Sequence, residues 1–328
     1  MKRESSGLAP TSAAVPVPLL PRRGQAPGRR APVPVLHPDT FHASRFTLHA
    51  SQVGRRGALS YEFEREGPRT VLTRSSCTTP WHHFPPSYLD DSGCAYTWLV
   101  NQSGGLVGGD HVSVEAQLGA GTHVLMTSPS ANRVYRSLSE PARQEIRLSV
   151  GPDARLEWLP EVTIPFAGSR FHQSIHVDLA PGATVVLWDA MASGRVAKEE
   201  RWAFSSVENE ICIRTAINGS VVERYGLVPS QLPDSVGLVE SWDYVASMFI
   251  IGDAVDADRW TGLDLVIATI LEQRPGLVLG GVSTPAAPGL AVKLVARSAP
   301  DLTETLEAMW AAVRKELWGL PVLNLRRY

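Results

Sequence analysis

Three short stretches of this chain nearly repeat one another: Leu118-Gly119-Ala120-Gly121, Val150-Gly151-Pro152-Asp153-Ala154 and Leu179-Ala180-Pro181-Gly182-Ala183. Each ends one apolar, partly alternating run and begins the next. Glu145-Ile146-Arg147-Leu148-Ser149-Val150 enters the second and Arg155-Leu156-Glu157-Trp158-Leu159 leaves it; His176-Val177-Asp178-Leu179 enters the third and Thr184-Val185-Val186-Leu187-Trp188-Asp189 leaves it. Side chains of an extended strand point alternately to its two faces, and Gly, Pro and Asp supply the turn conformations between strands. A chain punctuated this often does not make a helical bundle. The pattern predicts a mainly β fold, and the likeness of the three turns suggests stacked hairpins. The 27 glycines and 25 prolines among 328 residues agree with many turns between short elements.

The densest turn signal is Asn101-Gln102-Ser103-Gly104-Gly105-Leu106-Val107-Gly108-Gly109-Asp110, which joins a probable strand over 95–100 to another over 111–118. Gly104, Gly105, Gly108 and Gly109 mark backbone that turns sharply or is closely approached. The segment is no nucleotide loop. It lacks both G-x-G-x-x-G and a Gly-Lys-Ser/Thr ending, and the carboxylate of Asp110 would repel phosphate.

Residues 1–42 alternate Pro with small and basic residues and cannot bury enough surface to order themselves, so they are expected to be a flexible extension of a single β-rich domain over 43–328. Phe46-Thr47-Leu48-His49 reads as a strand, and Trp202 to Phe204 continues the β pattern. Two helices are expected late in the chain. Asp256-Ala257-Asp258 precedes apolar Trp260, Leu263, Val266, Ile267 and Ile270, while Leu302, Leu306, Met309, Trp310, Val313 and Leu317 share one helical stripe ending before Gly319. A net charge of -2 recruits neither nucleic acid nor anionic lipid, and no apolar run is long enough to span a bilayer. Three widely spaced cysteines give neither a disulfide framework nor a zinc knuckle, which suits a reducing cytoplasm.

No nucleophile elbow, H-E-x-x-H helix or kinase signature is present. Asp110, Glu161 and Asp189 near strand ends would host acid-base chemistry if paired, which defines one alternative, a carboxylate-dependent hydrolase or lyase. His82, His83 and Cys94, with Asp90 and Asp91 nearby, are weak candidates for a nickel or zinc site. His172 and His176 share a strand face but lie too far apart to chelate one ion. Thr127-Ser128-Pro129-Ser130-Ala131-Asn132-Arg133-Val134-Tyr135-Arg136 concentrates hydroxyls, an amide and two guanidinium groups after a strand, as a partner surface or an internal polar path would require. A second alternative is a noncatalytic binding module unrelated to nickel.

Four pieces, in this order and spacing, carry a resemblance: Gly104 to Asp110, Thr127 to Ser137, Leu159-Pro160-Glu161 through Ile164-Pro165-Phe166-Ala167-Gly168, and Ser193-Gly194-Arg195. Together they resemble the urease accessory proteins called UreD or UreH, from about Arg45 to near the C-terminus. One departure is Ala197-Lys198-Glu199-Glu200, where the family commonly has Gly-Glu. The resemblance implies an elongated, stacked β-sheet or β-helix-like scaffold with peripheral helices and no enzymatic activity. Its implied partners are apo-urease, a UreF-like helical accessory protein and, through that complex, a UreG-like GTPase. Nickel would be in transit rather than tightly bound. Asp110, Ser128, Ser130, Arg133, Tyr135 and Glu161 are the candidate nickel-path or partner contacts.

Overall fold

The computed structural model describes residues 55–217, 219–231 and 242–325. The extension expected over 1–42 and the strand expected at Phe46-Thr47-Leu48-His49 lie outside them. In chain order the strands are β1 (Arg56–Glu66), β2 (Arg69–Cys77), β3 (Trp81–His82), β4 (Ala95–Trp98), β5 (Val100–Asn101), β6 (His111–Leu118), β7 (His123–Thr127), β8 (Asn132–Val134) and β9 (Ala142–Val150). They continue as β10 (Arg155–Leu159), β11 (Thr163–Pro165), β12 (Arg170–Leu179), β13 (Thr184–Ala192), β14 (Ser206–Thr215), β15 (Ser220–Leu227), β16 (Tyr244–Gly252), β17 (Val278–Ser283) and β18 (Gly289–Ala296). Helix α1 (Ala257–Glu272) precedes β17, and α2 (Ala299–Trp318) follows β18.

Two sheets carry the fold. One runs β15-β14-β12-β9-β6-β1-β2, the other β17-β18-β16-β13-β10-β7-β4, with short β8 and β11 beside the second. From β1 through β14 the inner pairs of the first sheet are parallel, as are β4, β7, β10 and β13 in the second. Consecutive strands therefore alternate between sheets, and each strand pairs with its counterpart one coil earlier. The result is a mainly β, solenoid-like stack.

The three near-identical turns are the corners of this stack and not the hairpins their sequence suggested. Each carries the chain from one sheet to the other, and the corners bond to one another. Gly121 N–H donates to the Pro152 carbonyl at 2.8 Å, and Asp153 N–H to that of Pro181 at 3.1 Å. Gly, Pro and Asp satisfy a tight reversal equally well whether the chain returns within a sheet or crosses between two, so turn chemistry alone does not separate them.

Alternation sorts the side chains. Val112, Val114, Ala116 and Leu118 of β6, with their neighbours Ile146, Leu148, Ile175, Val177, Ile211 and Ile213, fill the space between the sheets. The opposite face of the second sheet, including Leu125, Val186, Trp188, Met248 and Val292, packs under the two helices. Both helices are capped. Asp256 accepts the Arg259 N–H at 2.9 Å, Ser298 accepts that of Asp301 at 3.3 Å, and Gly319 ends α2 in the left-handed conformation. Burying the apolar stripe of α2, from Leu302 to Leu317, fixes it on the sheet.

The strand expected over 202–204 does not form. Trp202 has φ 50°, which breaks an extended run, and β14 begins at Ser206. Just before it, Glu199 also adopts a left-handed backbone, φ 58°, closing a short turn over 196–198. An L side chain there costs roughly 1–2 kcal/mol that glycine avoids. Glu200 meanwhile keeps its contacts, accepting the Ala167 N–H at 2.6 Å and pairing with Arg195, whose guanidinium lies 4.6 Å from the Phe166 ring centroid. Glu199→Gly is therefore expected to raise the unfolding free energy by about 1 kcal/mol in urea titration; a lower midpoint with unchanged slope would refute the strain assigned here.

Candidate functional site: a polar row between the sheets

One rung of the first sheet breaks the apolar rule. Gln144 of β9, Gln173 of β12, Asn209 of β14 and Tyr225 of β15 are consecutive cross-strand neighbours, all on the inward face. Buried amides are costly unless bonded, and these bond to one another. Asn132 Nδ2 donates to Gln144 Oε1 at 3.3 Å, and Gln144 Nε2 to Gln173 Oε1 at 3.4 Å. Gln173 Nε2 then donates to Asn209 Oδ1 at 3.0 Å and to Asp189 Oδ1 at 2.9 Å. Asn209 Nδ2 closes the triangle on Asp189 Oδ2 at 3.0 Å.

Asp189 reaches the row from β13 of the opposite sheet and is buried. Burial raises its carboxyl above the ordinary range, and the two amides with the more remote Lys293 charge offset this only in part. The phenol of Tyr225 is likewise pushed far up, by burial and by the Asp189 charge.

A cavity with about 80 Å³ of room for water runs along this row. That exceeds the roughly 10–15 Å³ one water centre requires, so several waters fit. Its walls include Ser128, Ser130, Asn132, Glu161 and Gly105, and extend to Gln144, Gln173 and Asp189. Two further wall residues, Trp81 and Trp158, have buried indole N–H groups with no protein acceptor among the described residues. Water in the cavity satisfies such donors. A second, smaller cavity of about 10 Å³ shares Thr163, Gln173 and Asp189 with the first and continues to Asn209 and Tyr225.

The sequence candidates divide accordingly. Ser128, Ser130 and Glu161 line the larger cavity, and the Ser128 hydroxyl accepts the Glu161 N–H at 2.8 Å. Gly104 and Gly105 form its wall on another side. A Cβ on Gly105 would lie 2.4 Å from the Arg133 carbonyl oxygen and 2.7 Å from the Tyr135 ring, so the close approach requires glycine. Arg133 presents an exposed side chain, while its backbone accepts the Leu106 N–H. Tyr135 packs edge-on to Phe166 and donates to the Gly104 carbonyl at 3.3 Å.

Asp110 is outside the cavity wall. Its carboxylate accepts the backbone N–H groups of Arg55 and Val107, both at 2.9 Å, which makes it a lock for the turn carrying Gly108 and Gly109. Of the three carboxylates considered for acid-base work, Glu161 and Asp189 share the cavity and Asp110 does not. Sequence reading overlooked Gln144, Gln173, Asn209 and Tyr225. Their signal was parity: Gln144 and Gln173 occupy the same alternation phase as apolar Ile146 and Ile175.

His82, His83 and Cys94 are not brought together as a ligand set. His83 lies 3.4 Å from the Tyr61 hydroxyl and His82 stacks edge-on with Phe84. Among the described residues, the cluster of potential ligands containing Cys94 instead joins it to His123 and Glu157, beneath α2. The carboxylate of that cluster already has partners. Arg314, fully buried, places Nη1 2.5 Å from Glu157 Oε1 and Nη2 2.9 Å from Asp90 Oδ2. His123 Nε2 is 2.7 Å from Glu157 Oε1, and the Trp310 indole donates to the other oxygen. Burial pushes Glu157 up, but the bonds and charges of His123 and Arg314 outweigh it and hold the carboxylate below its ordinary value. Burial, reinforced by Glu157, pushes the Cys94 thiol well up, away from the thiolate a metal would need. A cation here would face a guanidinium and displace existing bonds, so the cluster acts as a lock between helix and sheet.

A family model described as UreD urease accessory protein matches residues 55–327. The chain belongs to the UreD family. Relatives named urease accessory protein UreD include one from Deinococcus radiodurans, 34% identical over 83% of this chain and 95% of its own. Another, from Streptomyces griseus and named UreD 2, is 31% identical over 86% of this chain and 97% of its own. A third, from Anaeromyxobacter, is 31% identical over 74% and 81%. The UreD match thus spans both sheets, the polar row and the helix lock.

Breaking one partner of a buried ion pair costs about 3–5 kcal/mol, because the remaining charge is stranded. Arg314→Met in this UreD chain is expected to lose that much at pH 7 by urea unfolding. Since Glu157 is depressed when folded, its stabilisation exists above the unfolded-state carboxyl value and is lost as pH falls through the folded one. The deficit of the variant should therefore shrink as pH falls through the carboxylate range. A loss within the roughly 0.5 kcal/mol typical of surface changes would remove the lock.

Proposed function

We propose that this chain is a nonenzymatic urease-maturation scaffold that conducts nickel through its interior toward apo-urease. Membership of the UreD family supports the maturation role, and the relatives' name, urease accessory protein, supports urease as the client. The observation that carries the nickel reading is the continuous polar row ending on Asp189, a buried carboxylate held by amides. An uncompensated buried carboxylate is short of positive charge, and a divalent cation supplies it.

The donor chemistry suits transit. Carboxylate, hydroxyl and amide oxygens bind nickel less firmly than thiolate or a closed histidine set, so an ion is accepted and released. Glu161, with Ser128 and Ser130, draws the hydrated ion to the mouth; Asn132, Gln144 and Gln173 offer amide oxygens inward, and Asp189 receives it. Tyr135, Phe166, Arg133 and Arg195 near the mouth present the aromatic and guanidinium groups that anchor protein interfaces. They are assigned to docking a UreF-like helical accessory protein, which brings a UreG-like GTPase. The same reading puts the protein in the cytoplasm with its partners; no described helix is long and apolar enough to cross a membrane.

Reconstitution of apo-urease with nickel, the helical protein and the GTPase, with and without this chain, tests the role; equal activation in both removes it. Asp189→Asn, which keeps shape and discards charge, is expected to lower nickel-dependent activation about tenfold or more, the scale of losing a contact that supports a metal. Full activation by a folded Asp189→Asn chain would exclude the interior route.

A further inference from the structure

The polar row continues past Tyr225. The apolar rung beside it, Val114, Ile146, Ile175 and Ile211, ends on Glu223 of β15, the last strand of the first sheet. Glu223 is only 9% exposed. Its carboxylate accepts the Ser247 hydroxyl, at 2.8 Å to Oε1 and 3.1 Å to Oε2, and forms an ion pair with Lys293. Ser247 of β16 is the cross-strand neighbour of Asp189 on one side and of Lys293 on the other. Asp189, Ser247 and Lys293 therefore cross the second sheet in one line, with Asn209, Tyr225 and Glu223 in the strands of the first.

The two ends of the ion pair differ in a way that matters. Glu223 is fixed inside a strand and shielded from water, whereas the Lys293 side chain is 61% exposed and reaches in from the margin of the sandwich. A lysine is a point charge on a flexible four-carbon stem, strongly hydrated and not held by a bidentate fork, so its ammonium returns to water readily. Gln173 and Asn209, both nearly fully buried, have no such freedom.

We propose that the Lys293–Glu223 ion pair is the closed state of a second mouth to the polar row, with Lys293 a displaceable stand-in for the cation that the row conducts. The proposal rests on the interior route argued above. An ion at Asp189 is one cross-strand step from the Ser247 hydroxyl and thence from Glu223. Its double charge repels the ammonium and competes for the same carboxylate. Among the described residues, an outward swing of Lys293 opens the margin between β15 and β18, and Glu223 becomes the last oxygen contact before solvent or a partner.

Access at this margin is measurable without nickel. Ser247→Cys places a thiol behind the ion pair, and its modification by neutral methyl methanethiosulfonate in the full chain is followed by peptide mass spectrometry. Buried Cys94 reports global opening in the same sample. Adding Lys293→Ala, or Glu223→Gln, is expected to speed labelling of residue 247 by about tenfold or more while Cys94 stays protected, as local opening requires. Lys293→Arg should slow it. An unchanged rate with Lys293→Ala, or a rise shared equally by Cys94, overturns the gate. Because no metal is present, that failure is distinct from failure of the interior route, which shows only in urease activation.

Discussion

An amide that faces into a β-sandwich is destabilising unless a polar group on a neighbouring strand satisfies it. The stack of parallel coils meets this condition by register. It sets Gln144, Gln173 and Asn209 side by side, each within bonding distance of the next. Shifting any of these strands by one residue would send the amides outward and bring more strongly polar neighbours such as Glu145 or His172 inward. The polar row and the strand register therefore specify one another, and the cavity lies where the row replaces apolar packing.

The second sheet carries a buried carboxylate on each face, and their surroundings give them opposite roles. Glu157, on the helix side, has a guanidinium, an imidazole and an indole N–H around it. Its charge is spent holding α2 to the sheet. Asp189, on the sandwich side, has amides as its bonded partners and sits at the junction of two cavities. The same residue class thus serves as a fastener where cations are built in, and under the proposed route it would receive a cation where they are not.

Much of this architecture was legible in the chain. The stripe from Leu302 to Leu317, with Gly319 after it, specifies α2 by local rules alone, and β6, which leaves the glycine cluster, follows from alternation. The near-repeated corners announced stacking but not its handedness of pairing, because a corner and a hairpin use the same turn residues. Ser128 and Ser130 were recognisable as part of a polar concentration after a strand, and Glu161 as a carboxylate near a strand end. The inner half of the row was not, since Gln173 looks like any polar residue in an alternating strand until its face is known. Arg314 presents the same difficulty at greater range: its partners Glu157 and Asp90 lie far away in sequence, and no local pattern links them.

The central claim is that a nickel ion finds its oxygen ligands inside the sandwich, at Asp189, and not on the protein surface. Anomalous diffraction at the nickel edge, from crystals of the full chain equilibrated with the ion, tests it directly. The account predicts a nickel peak within the cavity, bonded to the Asp189 carboxylate. Nickel bound solely at outer-face histidines such as His172 and His176, with water alone beside Asp189, would contradict it.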